Sequence, residues 1–437
     1  MRKWLLLSVI LTLAVTVPAG AAQAKQKYGI EEFNALQDIN NAQAPNQKMQ
    51  FIQSFLEKHP ESVLRAFVYP EQARSAWQLQ QYAGVIEAVD GFLGLDRDAV
   101  ADLYRQSKYN DQMIDNTYYQ MHLLATYSFL QNGSSSRGAG RAAEVARQGL
   151  RLHESLYSAV QPPADAAQRQ QFEQQKRQAE SAFRTVLANQ AWREKNYGRA
   201  VSEYRVLVDF TPDDAAINYR LGIGYLRKQP RENNKGMWYL ARALAPNIKS
   251  DEVRDFLTQS VAAYEQAAPE CVADDVRNLI EQSRTSVQPP AALPLVRAEQ
   301  VNSVRQELAG ASVKKIFDDL KLGGEPAHLM WLASCGVEIG KDADEQPAMT
   351  VKILEIAQEE DNLVTLRVAA GPEAAAAGTI NVEIKIIAPE EAKQLQVNDV
   401  VRVAGKITNY QAEPFLLKLT GGVVRAGDIK EAIEARE

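Results

Sequence analysis

The chain has 437 residues and a formal charge of −6, with 46% apolar and 24% charged residues. A single core rarely grows past roughly 250–300 residues, so two or three domains are expected. The composition excludes wholesale disorder and a multi-span membrane protein, and the acidic balance argues against nucleic acid or anionic lipid as a partner.

At the N-terminus, Arg2 and Lys3 precede an apolar run from Trp4 to Val17, and Pro18 and Gly20 then break the helix. The run has fourteen residues, which at about 1.5 Å each reach roughly 21 Å, short of a ~30 Å hydrocarbon core. Ala22-Gln23-Ala24 has the small-x-small form that a signal peptidase reads. The expectation is a cleaved secretory signal over 1–24 and an exported chain, periplasmic or extracellular, with no transmembrane segment once mature. Loss of Arg2 and Lys3 takes the charge from −6 to −8.

From Tyr28 to about Ala268, apolar residues recur at three- and four-residue intervals, which predicts helices. Gln131–Arg141, rich in glycine and serine, reads as a loop, and Gln161–Asp165 stops one helix and caps the next. Thr285–Leu295 carries Pro289, Pro290 and Pro294 and reads as a domain linker over 285–300, after a helical domain over 25–284. A helical connector is expected over 301–345. From Met349 the period changes to two, and five short runs rich in Val, Ile and Leu predict a small barrel or sandwich over 346–425. A short helix closes the chain over 426–437.

The helical part contains a repeat. In a 34-residue frame begun at Ser181, Leu187 and Ala188 take places 7 and 8, Tyr197 place 17, Ala200 place 20, Tyr204 place 24 and Pro212 place 32. A second frame begun at Ala215 puts Leu221, Gly222 and Tyr225 at places 7, 8 and 11 and closes at Pro246 after one short insertion. These positions resemble the tetratricopeptide repeat. Small residues at places 8 and 20 let two antiparallel helices touch, the aromatic fills the gap beside them, and proline ends the second helix. Weaker echoes at Met49–Ser62, Ser75–Asp96 and Asn116–Leu156 bring the expected number of units to about five. Such hairpins are unstable alone and stack on their neighbours.

The resemblance implies a helical-hairpin solenoid that binds a protein or peptide on its concave face. In this family places 2, 5, 9, 12 and 13 commonly line that face. Here they are Ala182, Thr185, Asn189, Trp192 and Arg193, then Ala216, Tyr219, Ile223, Leu226 and Arg227. Asn189, Trp192, Arg193, Tyr219 and Arg227 are the candidate partner-binding residues. Trp192 and Tyr219 are equally suited to packing against a neighbouring helix. The lysine with which chaperone-binding members clamp a carboxyl terminus is replaced by Thr185.

Val397–Gly422 resembles the last two strands of a small OB-fold-like barrel, with a turn at Asn398-Asp399, a bend at Gly405 and an aromatic plug at Phe415. Residues 341–437 hold eleven Lys or Arg against seventeen Asp or Glu, with Tyr410 and Phe415 as the aromatics. That balance is wrong for a single-stranded nucleic-acid groove. A barrel that recognises a polysaccharide or small ligand, positioned by the repeats, is the alternative reading.

Signs of chemistry are few. Cys335 lies in Ser334–Gly340 with no histidine or acid tied to it, and Cys271 and Cys335 read either as a disulfide or as two buried thiols. His59, His122, His153 and His328 are too scattered to predict a metal site. Asp274-Asp275 and Asp318-Asp319 are neighbours on helices and diverge by about 100°. The Gly-Gly pairs lack the Lys-Ser/Thr of a phosphate loop. The expectation is a non-enzymatic protein without cofactor.

Overall fold

The computed structural model describes residues 28–132, 138–245, 250–308, 313–358, 363–387 and 392–436. The expected signal, part of the glycine-serine loop and the closing proline Pro246 lie outside the described residues. The chain divides into two compact units, one ending at Pro212 and one beginning at Asp213.

The first unit holds nine helices among its described residues: α1 (Ile30–Asn41), α2 (Pro45–Lys58), α3 (Arg65–Gln78), α4 (Tyr82–Leu93), α5 (Arg97–Gln106), α6 (Asp111–Gln131), α7 (Ala139–Ala159), α8 (Ala166–Arg193) and α9 (Tyr197–Phe210). Helix starts are set by side chains: Asp96, Asn110, Asp165 and Asn196 each accept the backbone N–H three residues on. The hairpins α3/α4, α6/α7 and α8/α9 pack in sequence order, α6 lying against both α3 and α4 and α8 against both α6 and α7. Each hairpin thereby covers an apolar side that its neighbour leaves open. The expected frame holds locally: Leu187, Ala188, Ala200 and Tyr204 are all buried. Helix α5 and the first half of α8 are additions that the repeat frame does not contain.

The second unit begins with the hairpin α10 (Ala215–Arg227) and α11 (Asn233–Leu244). Gly222 and Gly236 face each other across it. A Cβ on Gly222 would stand 2.9 Å from both the Gly236 carbonyl and the Leu240 nitrogen, so the two backbones touch. Helix α11 is buried on all sides from Met237 to Leu244, including Arg242, and packs against α12 (Asp251–Glu265) and α13 (Ala273–Ser283). The proline-rich segment expected as a linker lies inside this unit and is pinned to it. Arg242 donates to the carbonyls of Ser283 and Ser286 at 2.6 and 2.7 Å, Val296 N–H donates to Glu265, and Leu293 is buried. Three more helices, α14 (Ala298–Leu308), α15 (Val313–Lys321) and α16 (Gly324–Ser334), occupy the place of the connector.

Six strands follow: β1 (Glu338–Ile339), β2 (Met349–Gln358), β3 (Leu363–Ala370), β4 (Val382–Ile387), β5 (Val400–Gln411) and β6 (Leu416–Val424). β3 pairs antiparallel with β2 and β4, β6 pairs parallel with β4 and antiparallel with β5, and β5 pairs antiparallel with β2. The ladder therefore runs β2-β3-β4-β6-β5 and returns to β2. Alternate residues such as Val351, Ile353, Leu366, Val368, Ile384, Val403 and Leu417 form its core, which Ile316, Phe317 and Leu320 of α15 join. Gly405 sits at a register shift between β5 and β6, the bend expected there. Phe415 is a partial cover, packed on Phe317 at 5.5 Å. α17 (Pro372–Ala377) lies between β3 and β4, and α18 (Ala426–Glu434) is tied to β5 by Asp428, which accepts from the backbone and guanidinium of Arg402. No helix among the described residues is long and apolar enough to cross a membrane.

Candidate functional site

The sequence-predicted residues fall in both units. In the first, Asn189 accepts the Tyr204 hydroxyl at 3.2 Å, and Trp192 is half-buried, edge-on to Tyr197 and Tyr204 at 5.5 and 6.3 Å. Asn189 and Arg193 border a recess of 10 Å³ beside Phe129 and Val186, room for about one water molecule. Ala182, expected on the same face, is buried. In the second unit Tyr219 is half-buried and Arg227 exposed, while Ile223 between them is core. Packing thus occupies much of the face that the repeat frame singles out.

A larger cleft opens in the first unit, at the edge of α4, α5, α6 and α7. Its volume is 480 Å³, in the range of ligand-sized clefts. Leu93 and Leu95 come from the end of α4 and the turn after it, and Arg97 opens α5. Tyr118 and His122 stand one turn apart on α6. Arg141, Glu144, Gln148, Arg151 and Leu152 follow the three- and four-residue spacing of one face of α7. Three arginines and one glutamate line it, and Asp90 and Asp115 stand within hydrogen-bond distance of two of the arginines, so the local charges nearly cancel.

The polar groups are held by identifiable partners. The Arg97 guanidinium lies 4.9 Å from the Tyr118 ring centroid and donates to Asp115 at 3.1 Å. Arg141 donates twice to Asp90 of α4, at 2.9 and 2.8 Å, and once to Glu144 at 3.0 Å. His122 Nδ1–H donates to the Tyr118 carbonyl at 2.7 Å, and its Nε2 is 3.0 Å from the Gln148 side-chain amide. The Tyr118 hydroxyl is buried with no hydrogen-bond partner among the described residues. Burial pushes that phenol above its ordinary pKa, and Arg97 opposes the shift. Arg97 and Arg141 are thus already engaged by acids of the same unit, Arg151 is exposed, and Leu93, Leu95 and Leu152 add apolar surface to the lining.

None of these cleft residues stood out in the sequence. The stripe Arg141, Glu144, Gln148, Arg151 was readable on a helical wheel of α7, but the place of Arg97 and Tyr118 beside it depends on how α5 and α6 cross. Of the two readings left open for Cys271 and Cys335, the disulfide is the one found, and His328 pairs with Asp275 at 3.0 Å.

No family model matches the chain, and no curated protein does. A solved structure that it is similar to is the TPR2AB domain of yeast Sti1 in complex with pHSP90, at 9% identity and a TM-score of 0.20, covering 58% of this chain and 88% of that one.

Proposed function

We propose that the chain is an exported, non-enzymatic scaffold whose tetratricopeptide-like hairpins hold an acidic segment of a partner protein. The observation that carries this reading is the 480 Å³ cleft bordered by Arg97, Arg141 and Arg151 over Leu93, Leu95 and Leu152. Guanidinium groups pair with carboxylates in a fixed fork. Arg151 is exposed to do so, and a partner's acid would exchange with Asp115 at the solvent-exposed Arg97 pair. The leucines supply apolar area that a charge-only surface lacks. The Cys271–Cys335 disulfide supports export, since such bonds persist in oxidising compartments. The returning ladder of β2 to β6, with its parallel β4–β6 pairing, supports an OB-like barrel as the second module.

A panel of immobilised peptides graded in Asp and Glu content tests the cleft. Acidic peptides should bind, more weakly as salt rises. The double substitution Arg97→Ala with Arg151→Ala should weaken that binding at least tenfold, since charge-assisted hydrogen bonds contribute about 1.5–3 kcal/mol each. Binding that ignores acidic content, or that survives the double substitution but is lost in Trp192→Ala with Arg193→Ala, assigns the partner to the other surface and rejects the cleft.

A further inference from the structure

Three potential metal ligands converge where α12 ends, α13 begins and α16 passes. Glu265 is the last residue of α12 and is fully buried. Its Oε1 accepts the Val296 N–H at 2.9 Å, and its Oε2 has no hydrogen-bond partner among the described residues. Asp275 lies in the first turn of α13, 5% exposed, whereas the side chain of its neighbour Asp274 is 74% exposed. Asp275 Oδ1 is 3.0 Å from His328 Nε2, and its Oδ2 is likewise unpartnered. One donor atom from each of the three residues lies within 4.8 Å of the others.

Two shielded carboxylates this close, each with a buried oxygen that no hydrogen bond satisfies among the described residues, are an expensive arrangement, because burial removes water and like charges repel. One imidazole supplies at most one compensating charge. We propose that Glu265, Asp275 and His328 form a binding site for a divalent transition-metal cation of the zinc type. Two carboxylate oxygens and one imidazole nitrogen are donors that such an ion accepts, and three protein ligands leave a fourth position for water. Tetrahedral coordination at about 2.0–2.1 Å places ligand atoms roughly 3.3 Å apart, so the site closes by side-chain adjustment without moving a helix. His328 is partly exposed and gives the ion an entry path.

The surrounding framework holds the ligands in place. The disulfide joins Cys271, four residues before Asp275, to Cys335, seven after His328. Trp331 Nε1 of α16 donates to the Cys271 carbonyl at 2.8 Å, bracing α16 against the turn that leads into α13. Bound metal would add α12 to this pair, so the ion acts as a cross-brace of the second unit.

Calorimetric titration of the disulfide-intact full chain with Zn²⁺ at pH 7.5 tests the site. One saturable site per chain is expected, together with a rise in melting temperature. Glu265→Gln and Asp275→Asn, which keep shape and most hydrogen bonds, should each weaken that site at least tenfold and abolish the thermal shift. No saturable binding by the unsubstituted chain overturns the proposal outright, and leaves the cluster as a proton-sharing carboxylate pair beside His328. Equal binding by the unsubstituted chain and both variants overturns it as well, by placing the ion on another histidine.

Discussion

On the inner side of α7, His153 lies among Tyr119, Tyr157 and Phe183, with the Tyr119 hydroxyl 3.2 Å from its Nδ1. Burial pulls its pKa down to about 4, because the charged imidazolium cannot be hydrated there. The folded value is below the unfolded one of about 6.5, so the neutral ring's contribution is present above pH 6.5 and is lost as pH falls towards 4. The loss amounts to about 3 kcal/mol across that window. Urea unfolding at pH 7 and pH 4.5 should show most of it, and His153→Gln, which keeps an acceptor for Tyr119, should remove it. At the same scale, the Asp274-Asp275 pair shows what a sequence can and cannot tell. Helical geometry says correctly that the two side chains diverge. Which of them turns inward, and towards which histidine, depends on helices 10 and 53 residues away in the chain, at Glu265 and His328.

Among the elements, the α10/α11 hairpin was the most legible, because a small residue at a fixed place has one strong use, backbone contact. Gly222 meets the backbone of α11, and Gly236 answers it, a Cβ there standing 3.1 Å from the Gly222 carbonyl. Glycine-to-alanine substitution should therefore have opposite signs at two helical sites. Gly222→Ala should destabilise by about 1–3 kcal/mol through overpacking. Gly198→Ala on α9, where a Cβ meets nothing nearer than Asn196 at 3.9 Å, should stabilise by up to about 1 kcal/mol. Denaturant midpoints of the two variants measure both. Helix α5 falls in the span whose periodicity predicts helices, with Val100, Leu103 and Tyr104 as its buried residues, yet no repeat place calls for it.

For the whole molecule, the disulfide closes a span of 64 residues within the second unit. Loop-closure entropy for that span corresponds to about 4 kcal/mol. Reduction, or Cys271→Ser with Cys335→Ser, should lower the unfolding midpoint of the second unit and leave that of the first unchanged. Trp77 and Trp192 report on the first unit, and Trp238 and Trp331 on the second, so single-tryptophan versions resolve the two transitions by fluorescence. A shared shift of both units would contradict the division at Pro212. Proline disfavours regular structure, so by composition the proline-rich segment reads as a linker. Its attachment through Arg242 and Glu265 involves a buried cation on α11 and a buried acid on α12, which composition cannot anticipate.

What the sequence determined by itself is what rests on short-range periodicity. The 3.6-residue and two-residue patterns, the cap residues and the small residues at helix crossings specify helical hairpins followed by a strand-rich module, because each is enforced by the backbone within a turn or a strand pair. Only the tertiary structure decided the pairing of Cys271 with Cys335, the cleft that gathers Arg97, Tyr118 and Arg151, and the meeting of Glu265, Asp275 and His328. Those groups come from separate elements, and their approach is set by how helices cross and by which side chains lose water together, neither of which leaves a spacing in the chain.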